Sequence, residues 1–67
     1  MRGTQLDLAE RHVQDGRDLV ERQERRIAEQ KARGRATTHE EQLLAIFKHS
    51  LAIYEADLVA LRRERTR

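Results

Sequence analysis

Apolar residues recur every seven positions along most of this chain, and the recurrence is interrupted only once. Leu6, Val13, Val20 and Ile27 stand seven apart, and beyond Gly34 the spacing resumes with Leu44, Leu51 and Leu58. A seven-residue repeat keeps one stripe of an α-helix turned toward a single partner helix, since it corresponds to 3.5 residues per turn. Lettering the repeat a to g, these residues take position a. Position d holds Ala9, Gly16, Gln23 and Gln30 in the first segment and Phe47, Tyr54 and Leu61 in the second. No proline interrupts either segment, so each can be one continuous helix.

The helix ends are marked as clearly as the seam. Thr4 with Asp7 three residues on can cap a helix start, and nothing breaks the pattern until Gly34, where glycine takes the left-handed conformation that ends a helix at low cost. Thr38 with Glu41 has the spacing of a second capping box, and Thr37 with Glu40 has it one residue earlier. Helix one is therefore expected from Gln5 to Arg33, a tip over 34–37, and helix two from Thr38 to Glu64, all within one domain spanning 1–67. So short a tip allows only antiparallel neighbours. The expected fold is all-α, an antiparallel, coiled-coil-like two-helix hairpin. Charge agrees independently: Glu40 and Glu41 open helix two, Arg62, Arg63 and Arg65 close it, and Lys31 and Arg33 close helix one, each set complementing the helix dipole.

Folding about a tip near residue 36 sets Gly16 opposite the turn from Tyr54 to Leu58. The side chain missing at Gly16 is expected to make room for Tyr54. The same fold places His49 near Gln23, within reach of a hydrogen bond. The polar Gln23 and Gln30 at d are open to two readings, a device that selects register or partner or a tip end that is simply looser and wetter.

The bulky apolar side chains are shared unequally. Helix two carries Leu43, Leu44, Ile46, Phe47, Leu51, Ile53, Tyr54, Leu58, Val59 and Leu61, while from Glu21 to Ala36 helix one offers only Ile27 to cover the first four. Ile46 and Ile53 lie off the seam and form a second stripe that one partner helix cannot shelter. A chain of 67 residues without cysteine has neither a large core nor disulfides to compensate. Association is the expected remedy, most simply a two-fold dimer forming a four-helix bundle through helix two. A different protein covering the same face is the competing solution.

Other functions find less support in the residues. His12, His39 and His49 include no pair at i,i+3 or i,i+4 and no Glu-x-x-His motif, so no metal is expected. Ser50 and the threonines lack a neighbouring base, and no glycine-rich phosphate loop occurs, so neither catalysis nor a cofactor is expected. No apolar run approaches the length of a membrane span, and without cysteine nothing speaks for an oxidising compartment. The expected setting is the cytoplasm. The charge of +2 is 14 basic residues against 12 acidic ones, and Arg22, Arg25 and Arg26 alternate with Glu21, Glu24 and Glu29 as in ordinary i,i+4 pairing, such as Glu21 to Arg25 and Glu29 to Arg33.

One string of residues is recognisable as a whole. His12-Val13-x-x-Gly16, Val20-x-x-Gln23-x-x-x-Ile27, Gly34, Thr38 and Leu43-Leu44-x-x-Phe47-x-x-x-Leu51 resembles a group of short, uncharacterised helical-hairpin proteins of alpha-proteobacteria. The resemblance implies the hairpin architecture and a bacterial cytoplasmic setting, and no activity. Those relatives often carry Gly-His-Asp-Thr at the tip, where this chain has Gly34-Arg35-Ala36-Thr37-Thr38. Any role centred on that His-Asp pair loses its basis here.

The expectation is thus a non-enzymatic interaction or assembly module, a homodimer or a hairpin docking another protein, with Leu43, Leu44, Ile46, Phe47, Ile53 and Tyr54 as the contact surface. No small-molecule substrate is expected. The alternative is a hairpin that binds RNA or another nucleic acid through Arg22, Arg26, Arg62 and Arg63.

Overall fold

Thr4 begins the first helix of the computed structural model, which describes residues 4–65. Its hydroxyl oxygen accepts the Asp7 backbone N–H at 3.1 Å, satisfying one of the donors that a helix start leaves open. Helix α1 then runs Gln5–Ala32. It stops there because Arg33 already departs from helical dihedrals and Gly34 takes φ 73°. Two backbone bonds close the end: Gly34 N–H donates to Lys31 O at 2.9 Å and Arg35 N–H to Gln30 O at 3.0 Å. This pair of bonds is the Schellman arrangement, which a side chain at position 34 would strain.

Helix α2 runs Thr38–Arg65, and both helices are 28 residues long. Its cap is Thr37 and not Thr38: the Glu41 N–H donates to Thr37 O at 2.9 Å, and the Thr37 hydroxyl donates to the Glu41 carboxylate. The reason lies in the repeat, since Thr37 stands seven residues before Leu44 and so occupies an a position. It is buried in the seam, which leaves its hydroxyl only nearby groups to bond. The Thr37 hydroxyl, reinforced by the Lys31 ammonium at 3.5 Å, holds the Glu41 carboxyl below its ordinary value.

The two helices pack side by side as a ribbon with extents of 52 × 21 × 14 Å. In α1 every a and d residue from Leu6 to Gln30 is buried or half-buried, and in α2 the same holds except for Tyr54. The layers correct two expectations. A side chain at Gly16 would meet Leu51 Cδ1 at 3.0 Å and Leu51 Cβ at 3.6 Å, so the glycine accommodates Leu51 and not Tyr54. Gln23 donates to Glu40 O at 2.9 Å instead of meeting His49. Both shifts have one cause: the Schellman cap reverses the chain at Arg33 and Gly34, earlier than a tip centred on residue 36.

Ion pairs cross between the helices from Glu10 to Arg62 at 3.4 Å, Arg17 to Glu55 at 3.3 Å, Glu24 to Lys48 at 3.6 Å and Lys31 to Glu41 at 3.5 Å. All eight residues stand at position e, so the pairs form a ladder along one face of the ribbon. Its signs alternate from rung to rung. A slip of one heptad would set Glu10 against Glu55, Arg17 against Lys48 and Glu24 against Glu41, like charge on like charge each time. The ladder therefore specifies register more than it stabilises, because exposed pairs contribute about 0–1 kcal/mol each. Within α1, Glu21 pairs with Arg25 at 3.6 Å, whereas the Glu29 to Arg33 pair does not form.

Candidate interaction surface

Around a heptad helix, position a borders e and position d borders g. The a residues therefore lie toward the ladder, and the d residues lie toward the opposite face of the ribbon. Burial follows this division. Val13, Ile27, Thr37 and Leu58, all at a, are buried, while Ala9 is the one d residue in that class among the described residues. The remaining a residues, Leu6, Val20, Leu44 and Leu51, are half-buried, and the other d residues are small, polar or half-exposed, so the seam is more closed under the ladder than on the far side.

The open face is built from c and g residues. In α1 these are Gln5, Leu8, His12, Asp15, Leu19, Arg22, Arg26 and Glu29, and in α2 they are His39, Leu43, Ile46, Ser50, Ile53, Asp57, Ala60 and Glu64, each series advancing by three or four residues as one helix face must. Contacts confirm that the two series share a side. The His12 and Tyr54 rings lie 5.0 Å apart at 38°, and a shallow cleft of about 340 Å³ is lined by Leu8, His12, Tyr54, Asp57 and Ala60 among others. No hydrogen bond joins His12 to Tyr54 or Asp57.

The residues expected to form the contact surface divide into two groups. Ile46 is 58% exposed, Ile53 50% and Tyr54 38%, and all three belong to the open face. Leu43, Leu44 and Phe47 are half-buried, with Leu44 and Phe47 inside the hairpin's own seam. The structure adds two residues from α1, Leu8 at 48% and Leu19 at 37% exposed. Their signal was present in the sequence, because Leu8 and Leu19 stand at c and g as Ile46 and Leu43 do.

The backs of the helices also differ. From Gln42 to Ala60 the b and f residues of α2 are Gln42, Ala45, His49, Ala52, Ala56 and Val59, all exposed and none of them Asp, Glu, Lys or Arg, with Val59, 47% exposed, the one bulky apolar group there. The back of α1 carries Arg11, Asp18, Glu21 and Arg25, also exposed. Of the arginines, Arg62 is tied to Glu10 and Arg63 is exposed near the end of α2. Arg22 and Arg26 lie on the open face more than ten residues nearer the tip than Glu10, so the four are not gathered into one strip.

Among the described residues, no group of three His, Asp or Glu side chains is placed to hold a metal ion, and no helix is long and apolar enough to cross a membrane. No protein-family model, curated protein or solved structure matches this chain.

Proposed function

We propose that this chain is a non-enzymatic assembly module that acts as a homodimer, two hairpins joining their open faces into a four-helix bundle in the cytoplasm. The observation that carries the reading is the unequal sealing of the ribbon. The chain exposes 5433 Å², whereas a compact monomer of its 7.9 kDa exposes about 4,400 Å². That excess resides in a ribbon whose one face holds Leu8, Leu19, Ile46, Ile53 and Tyr54 half-exposed or more. A face of 52 × 21 Å offers on the order of 1,000 Å² per protomer, enough for the roughly 800 Å² per partner of a stable interface.

Light scattering at several concentrations tests the proposal. The expected mass is about twice 7.9 kDa, and the variant carrying Ile46→Glu and Ile53→Glu is expected to fall to one chain while keeping its helicity. A wild-type chain that stays monomeric at high concentration would overturn the reading. Nucleic-acid binding through Arg22, Arg26, Arg62 and Arg63 has less support, because Arg62 is engaged with Glu10 within the hairpin. RNA affinity falling steeply between low and physiological salt would favour that alternative.

A further inference from the structure

On the ladder face every e residue that could pair does so, but the open face is charged differently. Arg22 and Arg26 lie toward the tip with Glu29 beyond them, Asp15 and Asp57 lie toward the chain ends, and all five are exposed. Among the described residues, neither the two arginines nor the two aspartates take part in an ion pair or a side-chain hydrogen bond. The arginines also stand too far along the ribbon from the aspartates for the hairpin to pair them, since Asp15 and Arg26 are separated by roughly 16 Å of helix rise.

We propose that these charges are paired between copies, so that the second protomer lies antiparallel, its tip over the first protomer's chain ends. This inference rests on the homodimer reading and adds the arrangement. A two-fold axis in the interface, crossing the ribbon at Leu19 and Ser50, sets α1 over α1 and α2 over α2 of the partner. Ile46 then packs on the partner's Ile53, Leu19 on the partner's Leu19, Arg22 reaches the partner's Asp15, and Arg26 reaches the partner's Asp57 across the groove. One axis thus satisfies both the apolar and the charged groups. The parallel alternative, with both tips at one end, would gather the arginines of both copies at that end and the aspartates at the other. Like charges brought together in this way oppose association.

Two measurements test the arrangement. Arg22→Glu with Arg26→Glu, and separately Asp15→Arg with Asp57→Arg, are each expected to weaken self-association by about ten-fold. An equimolar mixture of the two variants is expected to form heterodimers at least as tight as the wild type. Because the chain has no cysteine, a spin label at Arg35→Cys reports the tips directly. The antiparallel dimer places them about 45 Å apart, from some fifteen residues of rise on either side of the axis, whereas the parallel dimer places them within about 15 Å, close to one helix spacing. Short tip distances, or variants whose mixture restores nothing, would overturn the arrangement while leaving the homodimer intact. A wild-type chain with the mass of one protomer and no distance between labels would remove both.

Discussion

The two faces of the ribbon use the same heptad to opposite ends. Beneath the ladder, the a residues Val13, Ile27 and Leu58 are enclosed, and the charges above them are paired in alternating sign. On the far face the d residues of α1 are small or amide-bearing, the flanking c and g residues include Ile46 and Ile53, and Asp15, Arg22, Arg26 and Asp57 have no ion-pair partner among the described residues. A hairpin this size cannot close both sides of its seam with two helices. It closes one more than the other, which separates what sets the register from the face proposed to recruit a neighbour.

That contrast can be broken at four places. The largest effect is expected inside the closed layer: Leu58→Ala should cost about 2–5 kcal/mol of stability, whereas Ile53→Ala should chiefly weaken association. Urea unfolding at matched protein concentrations separates the two, and equal losses would mean that the faces do not differ. Next comes Gly16→Leu, which forces a side chain into the space of Leu51 Cδ1, 3.0 Å from where its Cβ would lie, and should cost about 1–3 kcal/mol. An increase in Tm would show that α1 is free to move away from α2 at this layer.

A smaller change is expected on the ladder. Lys48→Glu should lower stability by up to about 1 kcal/mol, with the loss restored by Glu24→Lys in the same chain and diminished at high salt. Failure of the double variant to recover would argue against the pairing. The smallest effect concerns pH. The Glu41 carboxyl is held below its ordinary value of 4.5 by the Thr37 hydroxyl and Lys31. The folded state therefore binds this proton less readily than the unfolded chain, and the stabilisation is full above that value and fades as pH falls beneath it. Glu41→Gln should flatten that acid limb in a thermal titration, leaving the neutral side unchanged.

Much of this architecture was legible in the residues because helices announce themselves by period and by their ends. The a and d lists carried over directly into burial, and Thr4 and Gly34 did what their residue types dictate. What was not legible was the vertical offset of the helices. It depends on where the Schellman cap turns the chain, and a shift of a few residues moved Gly16 from Tyr54 to Leu51 and Gln23 from His49 to Glu40. The surface was half legible. The apolar excess of α2 pointed to Ile46 and Ile53, but Leu44 and Phe47 are spent within the hairpin. Leu8 and Leu19, though among the bulky residues of α1, do not read as part of this surface in the sequence because they are isolated along α1 and meet the α2 stripe only once the fold brings the c and g edges together.

The ladder has one more property, which follows from its sign order. Glu10, Arg17, Glu24 and Lys31 read backwards are the complement of themselves, so an antiparallel second copy of α1 would satisfy every rung as well as α2 does. The charges can therefore police offset but are blind to identity. Discrimination falls to bulk, since two copies of α1 would face Ala9, Gly16, Gln23 and Gln30 with too little to fill the gap. It falls also to the five-residue connection, which holds α2 at a local concentration that a free rival could not match. Lengthening that connection would be the way to discover how much of the hairpin's fidelity is tethering.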